Sequence, residues 1–180
     1  PLLRSDYIME PIGNQCHTWA LSEWIPFNGT GTSKTSIYEV MSVFTSSFTA
    51  CWNQRDDTID WAILKRLIDD RCIYGECYYG DYYPLTPYSL KPDTWIAWQF
   101  NLQSKGKGFV QVFRREQSET ESMRLPLYGL ELDTKYHIAS PSKEGQSLEL
   151  TGKELTEHGV PITLPEKPSA ICLVYEKMKG

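Results

Sequence analysis

WIAWQF at residues 95–100 and FVQVFR at 109–114 flank a short turn that carries Gly106 and Gly108. Each run is rich in β-branched and aromatic residues, and a glycine-bearing turn between two such runs reads as a hairpin. Five further segments of the same texture follow: MRLPL (123–127), KYHIA (135–139), SLEL (147–150), VPITL (160–164) and AICLVYE (170–176). They recur at a spacing of roughly 10–13 residues, with Gly129, Gly145, Gly152 and Gly159 between them, which is the signature of an antiparallel sandwich or barrel. In the last segment Ile171, Leu173 and Tyr175 share one face while Cys172 and Val174 share the other. Two apolar faces on one strand predict a central position in its sheet.

Upstream of Pro92 the texture differs. TIDWAILKRLIDDR (58–71) carries an apolar stripe through Ile59, Ala62, Ile63, Leu67 and Ile68, and is expected to be a helix capped by Asp56 or Asp57. SIYEVMSVF, within residues 36–49, fits a strand or a short helix. NGTGTSKTS (28–36) reads as a loop of glycine and small polar residues, and Tyr78 to Pro92 reads as another. The change of texture places a boundary near Lys91–Thr94. Pro1-Leu2-Leu3 resembles the end of a buried strand rather than a signal peptide, so further sequence is expected upstream. The compartment is not legible, with the cytoplasm favoured.

Of the 180 residues, 18 are Lys or Arg and 23 are Asp or Glu, a net charge of −5. No excess of positive charge is available to displace counterions from a phosphate backbone, which argues against a nucleic-acid partner. No apolar run reaches the roughly 20 residues of a membrane-spanning helix. Six tryptophans and eleven tyrosines suit both a packed core and the stacking of sugar rings. Five cysteines cannot form a closed disulfide framework, and most are expected to be buried thiols.

Candidate chemistry is sparse. Gly29-Thr30-Gly31-Thr32-Ser33-Lys34 has the residue types of a phosphate cradle, but a P-loop needs glycine before its lysine, and Ser33 stands there. Asn28-Gly29-Thr30 is a glycosylation sequon. Cys72 and Cys77 are too far apart in sequence, and too short of histidine partners, for a zinc pair, so neither metal nor cofactor is implied. Asp6, between Arg4 and Tyr7 and just after a buried strand, stands where barrel enzymes place catalytic groups. A helix cap is the plainer role for such an aspartate.

In their order and spacing, LLRSDY (2–7), GNQCHTWALSEWIPFNGTG (13–31), YYGDYYPLT (78–86), WIAWQF with GFVQVFRR (108–115), and LTGKEL (150–155) make the chain resemble the C-terminal portion of glycoside hydrolase family 36, the α-galactosidases. The resemblance implies an α/β plus all-β fold. Residues 1–92 would form the last part of a (β/α)8 catalytic barrel and residues 93–180 an antiparallel β-sandwich. It also implies a retaining double displacement on an α-galactoside. Asp6 would be the acid/base, and the nucleophilic carboxylate would lie upstream of Pro1. Arg4 would stand near the acid/base and His17 would help build the substrate pocket.

Such a chain would be inactive by itself, and the resemblance suggests homo-oligomers. Asp81 is the spare carboxylate, assigned to a constrained turn. Trp19, Trp24 and Trp52 are assigned to the core ahead of sugar stacking. Tyr7 and Met41 depart from the family pattern, leaving α-N-acetylgalactosaminides and transglycosylation open. The rival reading is a non-catalytic carbohydrate-binding or assembly sandwich.

Overall fold

The computed structural model describes residues 2–4, 10–142 and 147–178. Three parallel strands come first: β1 (Leu2–Leu3), β2 (Asn28–Thr32) and β3 (Ser47–Ala50), hydrogen-bonded in that order. Parallel neighbours require crossover connections. Here these contain α1 (Pro11–Leu21) and α2 (Ile37–Met41). Glu10 caps α1, its carboxylate accepting from the backbone N–H groups of Ile12 and Gly13, with Pro11 at the first helical position. Ser36 caps α2.

NGTGT, expected as a loop, is instead β2, with all five residues buried. Small side chains permit this. A Cβ on Gly29 would lie 2.7 Å from the Cβ of Ser47, and one on Gly31 would collide with the carbonyl of Thr49. The strand is glycine-rich because β3 lies so close. The same burial disposes of the sequon. Asn28 is 0% exposed and donates through Nδ2 to the carbonyl of Ile25 at 2.8 Å.

The predicted helix appears as α3 (Trp61–Tyr74), starting three residues later than the expected Thr58. Asp60 is the cap, accepting from Ala62 and Ile63 N–H, while Asp56 closes a separate turn onto Thr58. A 3-10 turn over Gly75–Tyr79 leads into β4 (Asp81–Pro84), where a loop was expected.

All seven strands expected after Pro92 are present: β5 (Trp95–Leu102), β6 (Lys107–Arg114), β7 (Ser122–Leu125), β8 (Lys135–Ala139), β9 (Leu148–Thr151), β10 (Val160–Thr163) and β11 (Ser169–Lys177). Six strands form one antiparallel sheet in the order β4-β5-β6-β11-β8-β9, so the doubly apolar β11 is central, as its pattern requires. Strands β7 and β10 pair separately. Between β9 and β10, α4 (Gly152–Glu157) opens with a capping box in which Thr151 and Glu154 satisfy each other's backbone N–H groups.

The large sheet is covered on both faces. Against one lie Val40, Met41, Phe44, Leu64, Leu67, Tyr74 and Tyr78 from the helical half, meeting Ile96, Trp98, Phe100, Phe109, Phe113 and Cys172 of the sheet. On the other, Trp95, Ala97, Val110, Val112 and Tyr175 meet Leu125, Leu155, Val160 and Ile162, which come from the β7–β10 pair and α4. Each fully buried Phe contributes about 1.5–3 kcal/mol by leaving water. The rings of Phe100 and Phe109 also stack, with centroids 5.4 Å apart. Trp95 and Trp98 are both buried, and Trp98 gives its indole N–H to Gln111 Oε1 at 3.0 Å.

The architecture is therefore mostly antiparallel sheet, with a few helices and a small parallel sheet at one side. Among the described residues there are three parallel strands rather than a barrel, and the second layer of the sandwich has two strands. Strand β4 belongs to the large sheet, so the change of sequence texture near Pro92 falls between two of its paired strands.

Candidate active site at the exit of β1

The parallel strands run side by side, so their C-terminal ends open onto one edge. At the end of β1, Arg4 continues the pairing by donating its N–H to the carbonyl of Gly29. Its side chain is buried. Nη1 reaches the carbonyl of Asn14 at 3.3 Å and Nη2 the hydroxyl of Thr18 at 3.1 Å. Thr18 in turn donates to the carbonyl of Asn14 at 3.0 Å. Arg4 thus pins the exit of β1 to the middle of α1, while its Nε has no hydrogen-bond partner among the described residues. Burial without a described counter-charge lowers its pKa to about 10.

Asp6, the acid/base expected two residues further on, lies outside the described residues. His17 is half-buried on α1, in the same stretch that holds the acceptors of Arg4. The structure thus brings Arg4 to the helix that carries His17. At the ends of the neighbouring strands, Lys34 N–H is accepted by Thr32 Oγ1, and Trp52 donates its indole N–H to the carbonyl of Lys34 at 2.9 Å. Lys34 itself is exposed beyond a buried strand, and Gly29 and Gly31 lie within that strand rather than in a phosphate-cradling loop.

Two side chains that the sequence reading passed over fix α1 in place. Arg115, just beyond β6, is 0% exposed and spends its guanidinium on five acceptors. Nε donates to Gln15 Oε1 at 3.1 Å, and Nη2 to Cys16 Sγ at 3.4 Å, both on α1. Nη1 donates to the carbonyls of Ser89 at 2.6 Å and Lys91 at 2.8 Å, and to Thr94 Oγ1 at 3.3 Å. Gln15 then donates to Ser42 Oγ at 2.9 Å, joining α1 to the end of α2. The sequence signal was there to be read. Two consecutive arginines closing the apolar strand GFVQVF must either leave the sheet or find buried acceptors, and Arg114 does the second as well, on Leu164, Pro165 and Ser118.

The three tryptophans assigned to the core separate. Trp19 is half-buried, with its indole N–H on the carbonyl of Thr86 at 2.9 Å. Trp52 packs against Phe48 and Trp61. Trp24 is 79% exposed, contrary to the expectation, because it sits in the loop between α1 and β2, past the last helical turn. Asp81 opens β4 and is exposed. Of the cysteines, Cys16, Cys77 and Cys172 are buried, whereas Cys51 and Cys72 are exposed.

No protein-family model matches the sequence, and no curated protein matches it. Solved structures do share the fold. The galactosidase domain of the α-galactosidase–sucrose kinase AgaSK superposes over 94% of this chain and 25% of its own, with 18% identity and a TM-score of 0.72. The family 36 α-galactosidase AgaB from Geobacillus stearothermophilus matches 94% of this chain and 24% of its own, with 16% identity and a TM-score of 0.66. An α-galactosidase from Lactobacillus brevis matches 85% and 23%, with 12% identity and a TM-score of 0.60. A variant of AgaA, also from G. stearothermophilus, has been solved in complex with raffinose. The chain spans about a quarter of the length of the structures it matches. The fold is that of a part of the family 36 α-galactosidases, the family that the sequence motifs resemble.

Proposed function

We propose that this chain is the C-terminal part of a retaining α-galactosidase of glycoside hydrolase family 36. The observation that carries the reading is the coincidence of two independent likenesses. The motifs run in family order along the chain, and its fold follows α-galactosidases over 94% of its length. In this reading residues 1–92 complete a (β/α)8 barrel whose last strands are β1 to β3, and residues 93–180, joined by β4, form the C-terminal sandwich. The remaining barrel lies upstream and covers the outer edges of β1 and β3, which would otherwise template aggregation.

The chemistry assigned to the whole enzyme is a double displacement. A carboxylate on the upstream segment attacks the anomeric carbon of an α-galactoside while Asp6 protonates the departing oxygen. Asp6 then takes a proton from the water that releases the sugar. Arg4 serves as a positioning residue, since its guanidinium is committed to Asn14 and Thr18 on α1. His17 contributes to the pocket wall from that helix. Association into a homo-oligomer belongs to the same reading.

The test is hydrolysis of an aryl α-galactoside by a protein extended upstream to include the barrel, beside its Asp6→Asn variant. General acid/base catalysis supplies about 100- to 10,000-fold in rate, so the variant loses turnover on that scale. Azide restores it, yielding a galactosyl azide of retained α configuration. An extended protein without turnover, or an Asp6→Asn variant as active as its parent, removes the catalytic reading and leaves the sugar-binding module.

A further inference from the structure

We infer that the cleft between the α1–β2 loop and β4 is a carbohydrate-binding platform for a neutral oligosaccharide, with Trp24 as its stacking face and Glu23 and Asp81 as its hydroxyl acceptors. The cleft is lined by Ser22, Glu23, Trp24, Pro26, Asp81 and Tyr82 and is a shallow, open depression of about 550 Å³, room enough for one or two sugar rings to lie across it. It lies at the N-terminal end of β2, the opposite end of the parallel strands from the exit of β1.

Four features make it a built surface rather than a stray gap. Its floor is rigid: Tyr82 anchors β4 to α1 by donating to the carbonyl of Trp19 at 2.8 Å. Gly80 lies so near the backbone of Asn101 that any Cβ there would collide with it. Its one aromatic edge is open to water, with Trp24 79% exposed. The carboxylates of Glu23 and Asp81, both exposed, enter no hydrogen bond or ion pair among the described residues.

An exposed indole combines an apolar face with a polar edge, and beside unpaired acceptors it suits a ligand that offers both C–H faces and hydroxyls. The shape selects the ligand. A quaternary or alkyl ammonium is held by several rings closing around it, whereas Trp24 meets no other ring within stacking distance among the described residues and offers one flat face. A sugar needs one such face for its axial C–H groups and acceptors nearby for its hydroxyls, and Trp24, Glu23 and Asp81 line the same cleft.

The choice of an α-galactosyl sugar as probe rests on the function proposed above, while the platform itself does not. Raffinose is titrated into the 180-residue chain, with binding read from tryptophan fluorescence and from saturation transfer to the sugar protons. The expected affinity is weak, with a Kd of roughly 1 mM. Trp24→Ala weakens it at least about tenfold, on the scale of a truncated aromatic anchor. Asp81→Asn weakens it less, and 0.5 M salt leaves it unchanged because the ligand is neutral. Both side chains are exposed, and unchanged circular dichroism verifies folding.

Binding of maltotriose in place of raffinose upholds the platform and counts against the galactoside reading alone. Three results overturn the inference. One is no saturable binding of either sugar. Another is binding indifferent to Trp24→Ala. The third is salt-sensitive capture of a lysine-rich peptide without sugar binding. Loss of turnover at Asp6 is a separate observation and leaves this test untouched.

Discussion

Replacing Arg115 should loosen the whole chain, and by an amount that separates hydrogen bonding from packing. The guanidinium satisfies Gln15 on α1, the Ser89 and Lys91 carbonyls, and Thr94. Arg115→Ala strands the buried Gln15 oxygen and the two carbonyls, and each unsatisfied buried acceptor costs about 1–3 kcal/mol. The hydrogen bonds to the Ser89 and Lys91 carbonyls are only part-buried, so water recovers some of this, while the cavity left by the side chain adds to the loss. Removing a buried cation returns part of its desolvation cost. The net expectation is a loss of about 3–5 kcal/mol, a large share of the 5–15 kcal/mol that holds a domain together. In a chain of this size that lowers the melting temperature by roughly 6–20 °C.

Arg115→Met fills most of the same space without donors and isolates the polar contribution, expected to be about 2–3 kcal/mol. Urea unfolding followed by circular dichroism and tryptophan fluorescence measures both variants. If Arg115→Met is as stable as the parent, the guanidinium is a passenger, and the reasoning that makes it the clasp of α1 is wrong.

Acidification should destabilise the fold through specific exposed carboxylates. Glu76 is held below its usual value of 4.5 by Lys105 and Lys107, Glu131 by Lys177, and Glu154 by the backbone N–H and hydroxyl of Thr151. A depressed folded-state pKa contributes stability that is complete above pH 4.5 and disappears as pH falls through the folded value. Urea midpoints should therefore drop between pH 5 and pH 3, and Glu154→Gln should flatten that dependence; an unchanged slope contradicts the capping-box assignment. Thiol labelling of the native chain at pH 8 should modify Cys51 and Cys72 and spare Cys16, Cys77 and Cys172, the Cys77 thiol being pushed up to about 11 by burial. Peptide mapping that finds native-state label on Cys77 would refute the packing around the 3-10 turn.

What could be read from the sequence divides along physical lines. The strands after Pro92 announced themselves because their stability comes from alternating large side chains, and such patterns survive in one dimension. Strand β2 did not, since NGTGT owes its burial to the absence of side chains where β3 approaches, a three-dimensional reason. Strand β4 hid among Tyr and Pro because its pairing is supplied by β5. Trp24 carries nothing in its neighbours to tell a core indole from an exposed one, since exposure depends on where α1 stops. Arg4 and His17 were placed through the family resemblance, and the structure adds that Arg4 is buried against α1. Arg115 was visible only as an oddity at a strand end; that it grips α1 from 99 and 100 residues away in sequence is a property of the fold.

The central antiparallel sheet has one further consequence. Strands β5, β6 and β11 send alternate side chains into two different cores, so neither core possesses a private scaffold. Peeling away the helical layer would bare Trp98, Phe100, Phe109 and Phe113 on strands whose other face is still engaged. The two halves should consequently melt as one cooperative unit, with the slowest amide exchange in those three strands. A cut near Pro92 would then yield a sticky half-molecule rather than a free-standing sandwich.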